Sequence, residues 1–270
     1  MNVYLFELKS QLRSFFVGTA TLIGVAALFL GGAYPIYRDS AADVERMIDG
    51  FPPQFAALFG VNAGIFSFGG FYRFSSLYFM LIVAIAACAW GLAIFGREKR
   101  AKAIDFLFAM PVSRLRLYAA KLAAGLTLVA ASSLLFLCTV ALLYGRYGDD
   151  STATAIPLSR LLLAASALPG VGALFLSFGA LTAVLLRRIR SVSGIATAFG
   201  VLGFMLVSLP ELTGEEKYRI VSPFTWFNVS EALDHGRFEP GYLALAAAVV
   251  VACLAVGAVA YARGDVRGLR

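Results

Sequence analysis

The sequence predicts an all-α integral membrane protein. It would have six transmembrane helices, an N-terminal amphipathic helix in the membrane plane, a short amphipathic helix on the cytoplasmic face and short outer-face helices. Three observations predict this. Of 270 residues, 60% are hydrophobic and 14% charged, with a mean hydropathy of +0.81, and a soluble domain of this size needs far more polar surface to cover its core. Several uncharged stretches reach the ~20 residues that a helix rising 1.5 Å per residue needs to cross ~30 Å of hydrocarbon. The gaps between those stretches hold nearly all the charge, with Lys and Arg biased to one side.

Residues 2–14 place Glu7, Ser10, Gln11 and Ser14 on one helical face and Leu5, Leu8, Leu12 and Phe15 on the other. That is the pattern of a helix at a membrane interface; a plain extension of the first span is the alternative. Spans are expected at 15–34, 75–95, 117–144, 161–186, 192–209 and 242–261 of a single domain, 1–270. Pro169 should kink the fourth span, and Gly170, Gly172, Gly179, Gly194, Gly200 and Gly203 permit close helix contact. Tyr78, Trp90, Tyr144, Trp226 and Tyr261 read as interfacial belts.

Two connectors are long. In 35–74, Ser40 and Gly50 bracket a short helix, and Pro52 and Pro53 open an apolar segment with Phe55, Leu58 and Phe59. In 211–241, Ser222-Pro223 and Ser230 read as helix starts and Gly236 as a stop. Both connectors fit gates or inert lids equally well. An even number of spans puts both termini on the side that holds Lys9, Arg13, Arg97, Arg114, Lys121 and Arg188. That side has roughly twice the Lys and Arg of the other, so it is expected to be cytoplasmic, and the chain to lie in the inner (plasma) membrane.

Composition also narrows the function. The net charge of +7 falls in the loops and needs no nucleic-acid partner. Cys88, Cys138 and Cys253 lie in apolar runs, and His235 is the one histidine, so neither a disulfide framework nor a zinc site is expected. The span interiors lack Asp, Glu, Lys, Arg and His, with Lys121 standing at the start of the third span. This disfavours proton- or sodium-coupled carriers and intramembrane metalloproteases. No GxxxxGK[ST] phosphate loop is present, so the chain is not expected to hydrolyse ATP by itself or to hold catalytic residues.

The sharpest feature is the basic loop between spans two and three, 97–116. Ile104, Leu107 and Phe108 form an apolar stripe, and Arg100, Lys102 and Asp105 lie elsewhere on the same short helix. Pro111 ends that helix and Ser113 is placed to cap the next, which runs into span three. An apolar stripe with Glu98 and Asp105 offers more than attraction to anionic lipid requires; it is a surface for a soluble partner.

This loop resembles that of the type-2 ABC-transporter permeases. In that family an acidic residue soon after span two precedes a Gly-Thr-x-x-Leu-Leu stretch, a Pro-apolar-Ser-Arg turn and a Lys at the start of span three. The matches are Glu98, Asp105, Leu107, Pro111, Val112, Ser113, Arg114 and Lys121; Lys102-Ala103 replaces the Gly-Thr pair and Phe108 the second Leu. Ser222-Pro223-Phe224 and the ending from Tyr261 to Val266 are further echoes. The resemblance implies that the loop helix is a coupling helix docking on an ABC ATPase subunit through Glu98, Lys102, Asp105, Phe106, Leu107, Phe108, Pro111, Ser113 and Arg114. It further implies ATP and Mg used by that partner, no cofactor on this chain, a second permease copy, and export of a drug, peptide antibiotic or lipid. A sodium-efflux or mechanotransmitting permease, or a non-transporting scaffold, is the alternative.

Overall fold

The computed structural model describes residues 3–39, 67–97, 113–148, 156–186 and 188–263. Among the described residues every regular element is helical. The expected short helix at 40–50, the apolar segment at 52–59 and the loop helix at 98–110 lie outside them.

The chain enters on α1 (Val3–Ala26), which runs on through a widened turn, Ala27–Ala33, into α2 (Tyr34–Asp39). The wide turn has a local cause. Pro35 has no N–H for the Gly31 carbonyl, and its ring crowds that carbonyl. The Tyr34 N–H reaches back five residues to the Phe29 carbonyl instead. The expected in-plane helix over 2–14 is therefore replaced by one unbroken helix that includes the first span. Its polar face explains why. Glu7, Gln11, Phe15, Thr19, Leu22 and Ala26 are buried, while Leu5, Leu12 and Phe16 are exposed. Glu7 and Gln11 thus turn inward although polar, while the apolar Leu5, Leu12 and Phe16 turn outward, as suits a helix in lipid.

The centre is α3 (Phe68–Phe95), capped by the Ser67 hydroxyl accepting from the Gly70 N–H. Next come α4 (Arg114–Tyr147), α5 (Leu158–Ala165) and α6 (Ala167–Leu185). The break between α5 and α6 at Ser166 is the kink expected of Pro169, which cannot donate to the Ala165 carbonyl. The Ser191 hydroxyl then caps α7 (Val192–Met205) through the Gly194 N–H. The lid follows, with α8 (Leu209–Thr213) and α9 (Val229–His235), before α10 (Pro240–Arg263) closes the bundle.

Among the described residues, five helical stretches are long and apolar enough to cross a membrane: Val3–Asp39, Phe68–Phe95, Arg114–Tyr147, Leu158–Leu185 and Pro240–Arg263. The expected span at 192–209 corresponds to a shorter apolar stretch, Val192–Ser208, whose last turn is 3-10. It reaches about 27 Å at ~1.5 Å and ~2.0 Å per residue, just under the hydrocarbon thickness.

Neighbours fix the directions. Glu7 meets Lys121 and Gly31 faces Leu143, so α1 and α4 run parallel. Phe68 meets Tyr144 and Ile94 meets Lys121, so α3 opposes them. Gly91 and Gly179 cross backbone on backbone between α3 and α6. Tyr118 bonds the Leu254 carbonyl, bringing α10 against α4. The start of α1, the end of α3, the start of α4 and the end of α10 thus share one end of the bundle, the loop end. The lid covers the other.

The lid corrects two readings. Asn228, rather than Ser230 or Ser222-Pro223, starts α9: its side-chain oxygen accepts from the N–H groups of Ser230 and Glu231. Ser222 and Phe224 instead plug the bundle, the buried Ser222 hydroxyl donating to the Gly203 carbonyl at 2.9 Å and Phe224 packing on Phe175. Gly236 stops α9 as expected, with φ of 66°. Trp90 is no interfacial residue. It is buried, donates to the Ser14 hydroxyl at 3.2 Å and packs against Phe15.

Candidate functional site

Of the residues expected to contact an ATPase, Glu98, Lys102, Asp105, Phe106, Leu107, Phe108 and Pro111 lie outside the described residues. Ser113 and Arg114 are described, at the start of α4. Ser113 stands at the N-cap position with extended backbone and is exposed, but its hydroxyl makes no cap bond. Arg114 points across the bundle, its Nη1 donating to the Ala262 carbonyl at 3.1 Å. That places the last turn of α10 against the first turn of α4.

Beneath these two residues lies a cluster of charge. Lys121 is two turns into α4, with its side chain fully buried. Its Nζ donates to Glu7 Oε1 at 2.6 Å and to the Ile94 carbonyl at 2.9 Å. Glu7, on the second turn of α1, is 2% exposed. Its other oxygen, Oε2, lies 3.6 Å from Arg97 Nη1. Arg97 lies immediately beyond the end of α3, with its guanidinium 4.4 Å from the centre of the Phe6 ring.

Each contact has a physical cause. α3 stops at Gly96, leaving last-turn carbonyls without intrahelical donors. Lys121 supplies a donor to one of them and puts positive charge at the negative end of the helix. The buried ammonium in turn requires a negative partner, because an unpaired ion in this environment costs several kcal/mol, roughly. Glu7 is that partner. One ammonium therefore ties together α1, α3 and α4 at the base of the loop.

An aromatic group packs alongside. The Tyr118 ring packs, tilted, 4.9 Å from Phe95 and 5.7 Å from Tyr261 between centroids, and Gly257 gives its hydroxyl room to reach the Leu254 carbonyl. Ile189, on the α6–α7 connection, packs where Gly96 has no side chain. The elements at this end are thus joined around the two anchor points of the loop, Arg97 and Ser113.

The sequence pattern carries only part of this cluster. Lys121 was legible as the basic residue at the start of span three, but Glu7 was read as a surface residue of an interfacial helix. The burial of Lys121 within the expected third span, 117–144, is an exception to interiors without charge. The signal available for Glu7 was the reversed polarity of its helix: in a membrane segment, a polar face points to protein.

A model of the ABC-2 family transporter proteins matches residues 54–205, more than half of the chain. No match was found among curated proteins. The matched region contains α3, α4, α5, α6 and α7, and with them both anchors of the loop and Lys121.

Proposed function

The chain belongs to the ABC-2 transporter family, and from that premise we propose that it is the permease of an ATP-driven exporter whose ATPase subunits dock on residues 97–116. The family and the apolar helices make it a multi-pass membrane permease. In the proposed cycle two copies of the chain pair, each over one ATPase subunit. ATP binding, with Mg, draws the ATPases together, and the loop helix passes that motion into α3 and α4. Both termini then lie in the cytoplasm, the basic loops facing the ATPase.

The observation that carries this reading is the knot at the base of the loop. A loop that transmits force needs both ends held on rigid elements, and Arg97 and Arg114 are each engaged with other helices. A loop serving only to connect two spans needs no such anchoring. The cargo is proposed to be hydrophobic or amphipathic, since the long apolar runs 14–37, 74–96, 122–145, 161–186 and 240–262 carry no charge that would steady an ion.

The test is co-purification in detergent with candidate ATPase subunits, comparing the wild type with Glu98→Lys plus Asp105→Lys. The wild type should retain an ATPase and the double variant should lose it. Failure of the wild type to retain any ATPase, with or without nucleotide, overturns the reading.

A further inference from the structure

We propose that Glu7 and Lys121 are positioning residues that carry displacement of the loop anchors into the first transmembrane helix; this rests on the permease reading above. The buried pair does more than fill space. Lys121 Nζ bridges Glu7 of α1 and the Ile94 carbonyl at the end of α3, at 2.6 and 2.9 Å. Three helices separated by long stretches of sequence therefore meet on one atom. Any shift of the end of α3 relative to α4 changes the position of that ammonium, and the carboxylate on α1 must follow or lose its partner.

A second contact makes the arrangement responsive. Glu7 Oε2 and Arg97 Nη1 are 3.6 Å apart, beyond hydrogen-bond reach. Neither atom has a hydrogen-bond partner among the described residues. Arg97 opens the loop and is partly exposed, whereas Glu7 is buried. A small inward movement of Arg97 closes that gap, and an outward one opens it. Opposite displacements of the loop anchor thus strengthen or weaken the attraction on the α1 carboxylate. Along α1 the same face continues through Gln11 and Phe15 to Thr19 and Leu22, all buried, so a tilt or rotation at Glu7 moves a packed surface.

The experiment uses the full chain with the ATPase that co-purifies with it, in liposomes. Ser10→Cys, exposed one turn beyond Glu7, is labelled with maleimide and read at that position by mass spectrometry, with and without ATP. The variants are Glu7→Gln and the double Glu7→Gln plus Lys121→Met. The double leaves no uncompensated buried charge, so it guards against simple misfolding; size exclusion checks each preparation. In the wild-type background ATP should change the labelling rate at least threefold. In both variants the ATPase should remain bound and hydrolyse ATP, while the labelling response falls below 1.5-fold. Labelling that still responds to ATP in the double variant overturns the proposal. A wild type that binds its ATPase but shows no ATP response at Ser10→Cys overturns this relay alone, and a wild type that binds no ATPase overturns the permease reading together with it.

Discussion

Replacing Gly91 with Ala tests the packing on which the bundle depends. A Cβ at Gly91 would stand 2.5 Å from the Leu176 carbonyl oxygen, 2.8 Å from the Ala180 nitrogen and 3.1 Å from the Gly179 carbonyl carbon. Ordinary contact begins at 3.4 Å, so the nearest atom must retreat by 3.4 − 2.5 = 0.9 Å. All three obstacles are backbone, so no side chain can rotate aside. Gly179 faces the backbone of Cys88 in the same way, and the crossing is closed from both sides. The helices must separate, and a gap of 0.5–1 Å forfeits roughly a quarter to a half of each contact along the seam. Overpacking of this kind costs about 1–3 kcal/mol, against a gain of up to ~1 kcal/mol from the helix preference of Ala. The expected net loss is about 1–2 kcal/mol. The assay is SDS unfolding of the detergent-purified chain, with Gly24→Ala and Gly145→Ala as controls, since nothing lies within 4 Å of a Cβ at either position. If Gly91→Ala unfolds no earlier than these controls, the backbone-on-backbone crossing is refuted.

Other tests address the two ends of the bundle. Glu7→Gln alone should cost about 3–5 kcal/mol, because it leaves the buried Lys121 ammonium unpaired, and Lys121→Met alone less, because Arg97 lies 3.6 Å from Glu7; the two together should cost less than Glu7→Gln, and the double-mutant cycle in the same assay reads the coupling. At the lid, Arg73 pairs with Asp234 and Arg160 Nη1 donates to the Asp234 carbonyl at 2.8 Å. Asp234→Asn should cost at most about 1 kcal/mol, as the pair is partly exposed, and should speed proteolysis within the lid; unchanged cleavage counts against a latch. The hydrogen bond from Arg219 holds the Glu239 carboxyl below its ordinary value of 4.5. A depressed carboxyl pKa stabilises the fold above the unfolded value and loses that contribution as pH falls through the folded one. Lid protection should therefore be flat at neutral pH and weaken only below 4.5, and Glu239→Gln should remove that acid-linked loss. Asn228→Ala should cost ~1 kcal/mol through the lost α9 cap, seen as faster amide exchange at Ser230 and Glu231.

Hydropathy, helix rise and the backbone chemistry of Pro and Gly are local properties; the first two place the long helices, and the last the kink ahead of Pro169 and the stop at Gly236. Ser113 stands at the expected N-cap position, though its hydroxyl makes no cap bond. What sequence could not decide was the direction in which a side chain faces. Glu7 and Gln11 make an amphipathic stripe whether that stripe meets water or protein; only the approach of α4, bringing Lys121 to Glu7 across 114 residues of sequence, turns it inward. Trp90 likewise has the composition of an interfacial anchor and the surroundings of a core residue, because α1 passes over it. The order of the long helices follows from each segment's own preference for lipid or water, whereas 192–209, expected as a sixth span, forms a shorter helix. The charge knot, the glycine crossing and the plug at Phe224 depend on which segments become neighbours, and only the tertiary structure decides that, because the contacting atoms belong to residues with no local signal for one another.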